Sequence, residues 1–201
     1  TRVFYAHLLS NAGRHTEALA EIKRARELDP LSSFAAALEG QFLLHAGRTD
    51  EALDRLQKAI DLDPNFYFPH LFAISAYTEK GMYREAIAEA HRAKALAPDQ
   101  TMSDAYEAYA LAKSGKRDEA RAVLERLLKL SEQAEKRFVP PYHIALIYNG
   151  MDERDEAFAW LERGVVQRDA KMTFLKVEPK WNNLRSDPRF AELMRKVGLP
   201  Q

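Results

Sequence analysis

The side chains best suited to proton transfer or metal ligation near neutral pH are six histidines: His7, His15, His45, His70, His91 and His143. No two stand four residues apart, the spacing that would set two imidazoles over one metal on a helix face. Each therefore reads as a surface or packing residue. Two acid-rich stretches, DLDPN (61–65) and DERDE (152–156), supply carboxylates but not the alternating ligands and turn glycine of a calcium loop. The first reads as a helix end, the second as a helix start, where acids suit the dipole. The chain has no cysteine, which excludes disulfides, thiolate zinc sites and cysteine nucleophiles. It also lacks a phosphate-cradling glycine loop and a serine elbow. The expectation is a chain that is not an enzyme and carries no cofactor and no metal.

Charge points the same way. Lysine plus arginine and aspartate plus glutamate number 30 each, so no whole-protein field draws the chain to a polyanion. The most basic stretch, residues 184–200, sets Arg185, Arg189, Arg195 and Lys196 against Asp187 and Glu192. Elsewhere, in EIKRARELD (21–29) and ARAVLERLLKLSEQAEKR (120–137), bases alternate with acids, as on a solvated helix face. No aromatic stacking platform accompanies them, so no nucleic-acid partner is expected. No apolar run approaches the roughly 20 residues of a membrane span. No membrane partner is expected, and a cytoplasmic location is. Because the chain starts at Thr1 without a methionine, a targeting segment on a longer parent stays open.

The elements that would position these residues come from an internal repeat. Gly13, Gly47, Gly81 and Gly115 are spaced by 34 residues, and Ala18, Ala52, Ala86 and Ala120 keep the same step, as do Pro30, Pro64 and Pro98. A fifth copy, DERDEAFAWLERGV from Asp152, follows Gly115 after 37 residues, with Ala157 in the alanine position. Within DEALDRLQKAIDLDP (50–64), Leu53, Leu56, Ile60 and Leu62, with Ala52 and Ala59, form one apolar stripe at helical spacing. Asp-Pro ends such a helix, because proline disfavours helical geometry in the residue before it. The turn glycine ends the preceding helix in a left-handed cap. Each copy is thus helix, tight turn, helix, and one pair alone cannot bury its apolar face, so copies must stack.

A 34-residue helical pair with glycine at the turn, alanine five residues on, alanine seven beyond and proline at the end resembles the tetratricopeptide repeat family. The resemblance covers residues 1–171 as five copies, about 1–32, 33–66, 67–100, 101–137 and 138–171. It implies an all-α, right-handed α-solenoid of helix-turn-helix units, with residues 172–201 as connecting segment and capping helix. There are departures. The family's first-helix tryptophan is absent, the small mid-helix residue kept as Ala6, Gly40, Ala108 and Ala145 is Ile74 in the third copy, and Leu127 and Gly164 replace the second alanine. Glu132 stands where a fourth proline would, so the eighth helix is expected to run on toward Pro140-Pro141.

In that family the first helices line a concave groove that takes peptides or partner helices. The resemblance therefore implies a partner-binding set of Phe34, Gln41, Leu44, His45, Phe68, Leu71, Ser75, Met102, Tyr109, Lys113, Tyr142, Leu146 and Asn149. One subset of the family grips a C-terminal carboxylate with lysines and asparagines on these phases. Here the phases carry Val3/His7, Ala37/Gln41, Leu71/Ser75, Ala105/Tyr109 and Tyr142/Leu146, so that clamp is missing. The groove has an apolar and aromatic bias, and Phe34, Phe68 and Met102 recur at the repeat step. Packing between neighbouring first helices is the bland explanation for those three. A protein or peptide with apolar anchors is the expected partner.

The tail breaks the repeat phase. Asp187 and Pro188 suit the start of a helix, Phe190, Leu193, Met194 and Val197 share one face, and Gly198 suits its end. Such a helix covers the apolar flank that a solenoid otherwise exposes, and Phe174, Leu175, Val177, Trp181 and Leu184 give the connecting segment apolar anchors of its own. Residues 141–200, and LRSDPRF (184–190) above all, resemble the C-terminal end of tetratricopeptide domains in bacterial multidomain signalling proteins. That resemblance implies a non-catalytic module beside a winged-helix, nucleotide-cyclase or kinase domain. Two alternatives stay open: a structural array that forms a homo-oligomer or packs on other domains, and an activity carried by an upstream DNA-binding or catalytic domain.

Overall fold

The computed structural model describes residues 2–133 and 138–199. These form α1 (Arg2–Asn11), α2 (His15–Leu28), α3 (Ser33–His45), α4 (Thr49–Leu62), α5 (Tyr67–Glu79), α6 (Tyr83–Leu96), α7 (Thr101–Lys113), α8 (Arg117–Glu132), α9 (Pro141–Gly150), α10 (Arg154–Val166) and α11 (Pro188–Val197). Two 3-10 segments, Ala170–Phe174 and Pro179–Leu184, lie between α10 and α11. No strand occurs among the described residues.

Odd- and even-numbered helices up to α10 pair within each repeat, and successive odd-numbered helices pack side by side into an inner layer. The turn chemistry repeats with the sequence. Gly13, Gly47, Gly81 and Gly115 all take positive φ, from 71° to 86°, and Asp152 takes the fifth such position at 59°. Aspartate serves there because its short polar side chain tolerates the left-handed region. After each turn one amide reaches back to the same site, from Arg14, Arg48, Met82, Lys116 and Glu153 to the carbonyls of Leu9, Leu43, Tyr77, Leu111 and Tyr148. Ala18, Ala52, Ala86, Ala120 and Ala157 are fully buried, so the paired backbones approach closely at each. At Gly40 the approach is closer still: a Cβ there would lie 2.6 Å from Leu56 Cγ.

The two layers differ in what they bury. The outer helix α4 buries Ala52, Leu56 and Ala59, the single stripe expected of a helix with one solvent face. The inner helix α3 buries ten of its thirteen residues. Helices α5, α7 and α9 resemble it, because something covers both their faces. Ion pairs knit the layers: Arg26 and Arg55 converge on Glu39 at 2.7 and 3.0 Å, and Lys94 and Arg126 on Asp104 at 2.6 and 3.0 Å.

Two expectations need amendment. Helix α8 has 16 residues against 14 in α2, α4 and α6, but it ends at Glu132 instead of running toward Pro140. Val139 is buried ahead of α9, and residues 134–137 of the expected extension lie outside those described. The tail, moreover, is not solely an end cap. Helix α11 does pack on α10, with Phe190, Leu193 and Met194 buried, Asp187 as N-cap and Gly198 in the left-handed cap. Its basic residues are held locally, Arg189 by Asp155 at 2.7 Å and Lys196 by Glu162 at 2.9 Å. The segment before it instead crosses the concave face back toward α1, where Phe174 lies 5.6 Å from the His7 ring. It is this segment that covers the second face of α5, α7 and α9.

Candidate functional site

The concave face divides into two parts with different chemistry. In the part built by α5, α7 and α9, the segment from Asp169 to Asn183 fills the groove. Leu175, Trp181 and Leu184 are fully buried there and Val177 nearly so. Gly164, one of the departures from the repeat pattern, makes room for it, since a Cβ would meet Met172 Sδ at 2.8 Å.

At the centre is a buried ion pair. Lys180 Nζ lies 3.2 Å from Glu178 Oε2, with both side chains almost wholly enclosed. Taking two charges out of water costs several kcal/mol per ion unless further polar groups surround them, to order of magnitude. Here they do. Tyr106 Oη donates to Glu178 Oε1 at 2.9 Å and Tyr142 Oη to Oε2 at 2.6 Å. The Lys180 ammonium donates to Ser75 Oγ at 2.8 Å and sits 4.1 Å over the Tyr106 ring. Burial pushes the Glu178 carboxyl up, but the Lys180 ammonium, both hydroxyls and His45 outweigh it and hold the group below the usual carboxylate range. Burial and the nearby Glu178 charge push the Tyr106 and Tyr142 hydroxyls well above the ordinary phenol value, so both stay protonated as donors.

The backbone of the segment is read as a ligand's would be. The Lys180 carbonyl accepts from Asn149 Nδ2 at 2.7 Å and from Tyr109 Oη at 3.3 Å. Trp181 Nε1 donates to Tyr142 Oη at 2.7 Å, and the two rings meet edge-on at 5.2 Å. Asp169 accepts from the Tyr142 backbone amide at 3.0 Å. Ser75, Tyr109, Tyr142 and Asn149, all expected to meet a partner, therefore meet the chain's own tail, and Leu146 is fully buried. The tail residues Asp169, Glu178, Lys180 and Trp181 were not foreseen as groove contacts. The available signal was the row of hydroxyls and amides on concave phases, which required hydrogen-bond partners, beside a polar stretch carrying a tryptophan.

The part built by α1, α3, α5 and α7 is open. A cavity of about 180 Å³ lies there, and Phe34, Gln41, Phe68, Leu71 and Met102 from the expected set all line it. Its mouth is an aromatic ladder. Phe34 stands 6.5 Å from Phe4, 6.2 Å from Phe66 and 5.7 Å from Phe68, and Phe68 stands 5.9 Å from Phe72. Phe4 is 66% exposed and Phe68 36%, although large apolar side chains on a soluble face normally seek cover. The remaining expected residues fall elsewhere. Leu44 is core, His45 is buried with its Nδ1 2.9 Å from Ser10 Oγ, and Lys113 edges a separate polar cleft with Glu79 and Asn183. Burial depresses the His45 pKa to about 3, which leaves the ring neutral and unsuited to proton transfer near pH 7. His143, with its Nδ1 2.8 Å from Thr101 Oγ1, is depressed to about 3 for the same first reason. Among the described residues, no group of three or more histidines, aspartates or glutamates could hold a metal ion. None of the described helices is long and apolar enough to cross a membrane.

Residues 43–109 match the tetratricopeptide repeat family model. The chain has the fold of a tetratricopeptide repeat solenoid. Its fold is similar to that of TTC0263, a thermophilic tetratricopeptide repeat protein of Thermus thermophilus, with a TM-score of 0.67 and 22% identity over 96% of this chain and 97% of that one. MamA is similar with a TM-score of 0.54 and 21% identity over 79% and 91% of the two chains. YrrB, described as a tetratricopeptide repeat protein with an unusual peptide-binding site, gives 0.50 and 18% over 88% and 90%. No curated protein matches the sequence significantly. The tetratricopeptide repeat fold supports a protein–protein interaction module, and these likenesses speak to the fold alone.

Proposed function

We propose that this tetratricopeptide repeat chain is a scaffold that docks a peptide or partner helix on the open part of its concave face. The observation that carries this reading is the aromatic ladder of Phe4, Phe34, Phe66, Phe68 and Phe72 at the mouth of an unfilled cavity. Rings held 5.5 to 6.5 Å apart form a preorganised apolar surface, and a partner's apolar side chain would gain their contacts at little ordering cost. The tail supplies an internal example of the same recognition, in which groove side chains hold an extended stretch by its Lys180 carbonyl. On this reading, the segment fixes the shape of the groove and limits the partner to its N-terminal half. The resemblance of residues 141–200 to bacterial signalling modules supports placing the scaffold in such a protein.

The test is a peptide-binding screen on the full chain beside two variants. Phe68→Ser should abolish capture with melting little changed, whereas Tyr109→Phe should leave capture intact. Unchanged capture by Phe68→Ser with an intact fold would remove the groove assignment. A second reading, self-association, has its own support: Phe4, Tyr5 and Leu8 on α1 are 66%, 50% and 68% exposed. Sedimentation over a concentration series decides it, and a monomer at high concentration contradicts it.

A further inference from the structure

The open cavity is not uniformly apolar, and its polar groups define what it would take. Gln41 lies on its wall, only 6% exposed, and its Oε1 has no hydrogen-bond partner. An enclosed acceptor without a donor costs about 1 to 3 kcal/mol, so the site favours a ligand that brings an N–H. Lys171 lines the same cavity. Its ammonium lies 5.4 Å from the Phe174 ring centroid and makes no ion pair or side-chain hydrogen bond among the described residues. The nearby carboxylates are already engaged. Glu178 is held by Tyr106, Tyr142 and Lys180, and Asp169 by the backbone amides of Tyr142 and Lys171. His7, on the same wall, has its pKa lowered by burial and then by Lys171, so it adds no charge near pH 7. The charge available to a ligand is therefore one cation beside an aromatic cage.

We infer that the cavity recognises an acidic–apolar peptide segment, with one large apolar side chain against Phe34 and Phe68, a backbone N–H on Gln41 Oε1 and a neighbouring Asp or Glu carboxylate on Lys171. This rests on the docking reading above and names the partner's chemistry. Lys171 comes from the tail and not from the repeats, so the tail supplies part of the specificity of the groove it narrows.

The probe is an array of acetylated hexapeptide amides with a fixed central phenylalanine and Glu, Gln or Lys at each flanking position. All termini are blocked, so that only side-chain charge varies. Glu at one flanking position should bind about tenfold tighter than Gln, the size of one added charge-assisted hydrogen bond. Lys171→Met should bring Glu and Gln to equal affinity, and Lys171→Arg should restore the preference. Phe68→Ser should weaken Glu and Gln peptides alike. Equal binding of Glu and Gln at every position, with Phe68→Ser still abolishing capture, would overturn the charge assignment and leave the docking reading standing. Failure of every array member to bind, or binding that ignores Phe68, would overturn both.

Discussion

The two parts of the concave face begin from the same repeat and end in opposite states. Where α5, α7 and α9 present Ser75, Tyr106, Tyr109, Tyr142 and Asn149, the chain supplies its own occupant, and every one of those groups has a partner in it or beside it. Where α1, α3 and α5 present Phe4, Phe34 and Phe68, the face is mainly aromatic, Phe4 and Phe68 stay exposed, and a single enclosed acceptor on the cavity wall, Gln41 Oε1, is left without a partner. The lesson is one of obligation. A cluster of concave hydroxyls and amides demands permanent partners, because every enclosed unpaired polar group adds its own cost. Exposed aromatic rings can wait for an intermittent one.

Substitutions can break that contrast, and the largest effect belongs to the filled part. Trp181→Ala removes a fully buried ring and its hydrogen bond to Tyr142, and should cost about 3 to 5 kcal/mol in denaturant unfolding. Lys180→Met strands the enclosed Glu178 carboxylate and should cost about 3 kcal/mol, while the double variant Glu178→Gln/Lys180→Met should cost less than the two single losses summed. Full additivity in that cycle would mean the pair does not interact.

A smaller effect should come from pH. His45 and His143 are held neutral, with pKa near 3 against an ordinary 6.5. The unfolded chain therefore binds more protons than the folded one below pH 6.5. The stability they contribute is fully present above 6.5 and is lost as pH falls from there toward 3. His70, raised by its hydrogen bond to Glu89, works in the opposite sense, contributing below 6.5 and losing that contribution as pH rises. Burial lowers His7 and His15 as well, so with four groups against one the melting temperature should drop between pH 7 and 5, and His45→Asn/His143→Asn should reduce the drop. A slope unchanged in that variant would remove the assignment. In the open part, Phe34→Ser should hardly move the melting temperature while abolishing peptide capture. The smallest effect should follow Lys196→Gln on the exposed side of α11, where a solvated ion pair adds little and melting should stay within error.

The repeat made most of the fold legible. Glycine spacing, buried alanines and helix-ending prolines predict the helical pairs, and even the Asp152 turn falls in register. What escaped was the path of residues 169–183. Their sequence, DAKMTFLKVEPKWNN, carries no helical period, and its charges read as solvated loop. Glu178 and Lys180 are buried because they compensate each other inside a ring of hydroxyls, and the hydrogen bonds with Ser75, Tyr106 and Tyr142 that make burial possible reach across 36 to 105 residues of chain, which leaves no local pattern. The open half of the site was easier to read, since Phe34, Phe68 and Met102 recur at the repeat step and line one cavity. Gln41 and Lys171 show the limit of such reading: one belongs to a repeat phase, the other to the tail, and only the fold brings them to the same wall.

The central claim is that the tail is a permanent part of the groove, and the chain carries its own probe. It has two tryptophans. The Trp181 indole N–H is buried against Tyr142 Oη, whereas Trp160 is half-buried with Arg163 4.3 Å over its ring. Hydrogen exchange of the two indole protons, followed by NMR on the folded protein, separates the possibilities. A permanent tail predicts that the Trp181 proton exchanges only at the rate of global unfolding, while the Trp160 proton exchanges much sooner. Equal and rapid exchange of both, with the backbone amides of α5 and α7 still protected, would show that the segment leaves the groove and would contradict the account.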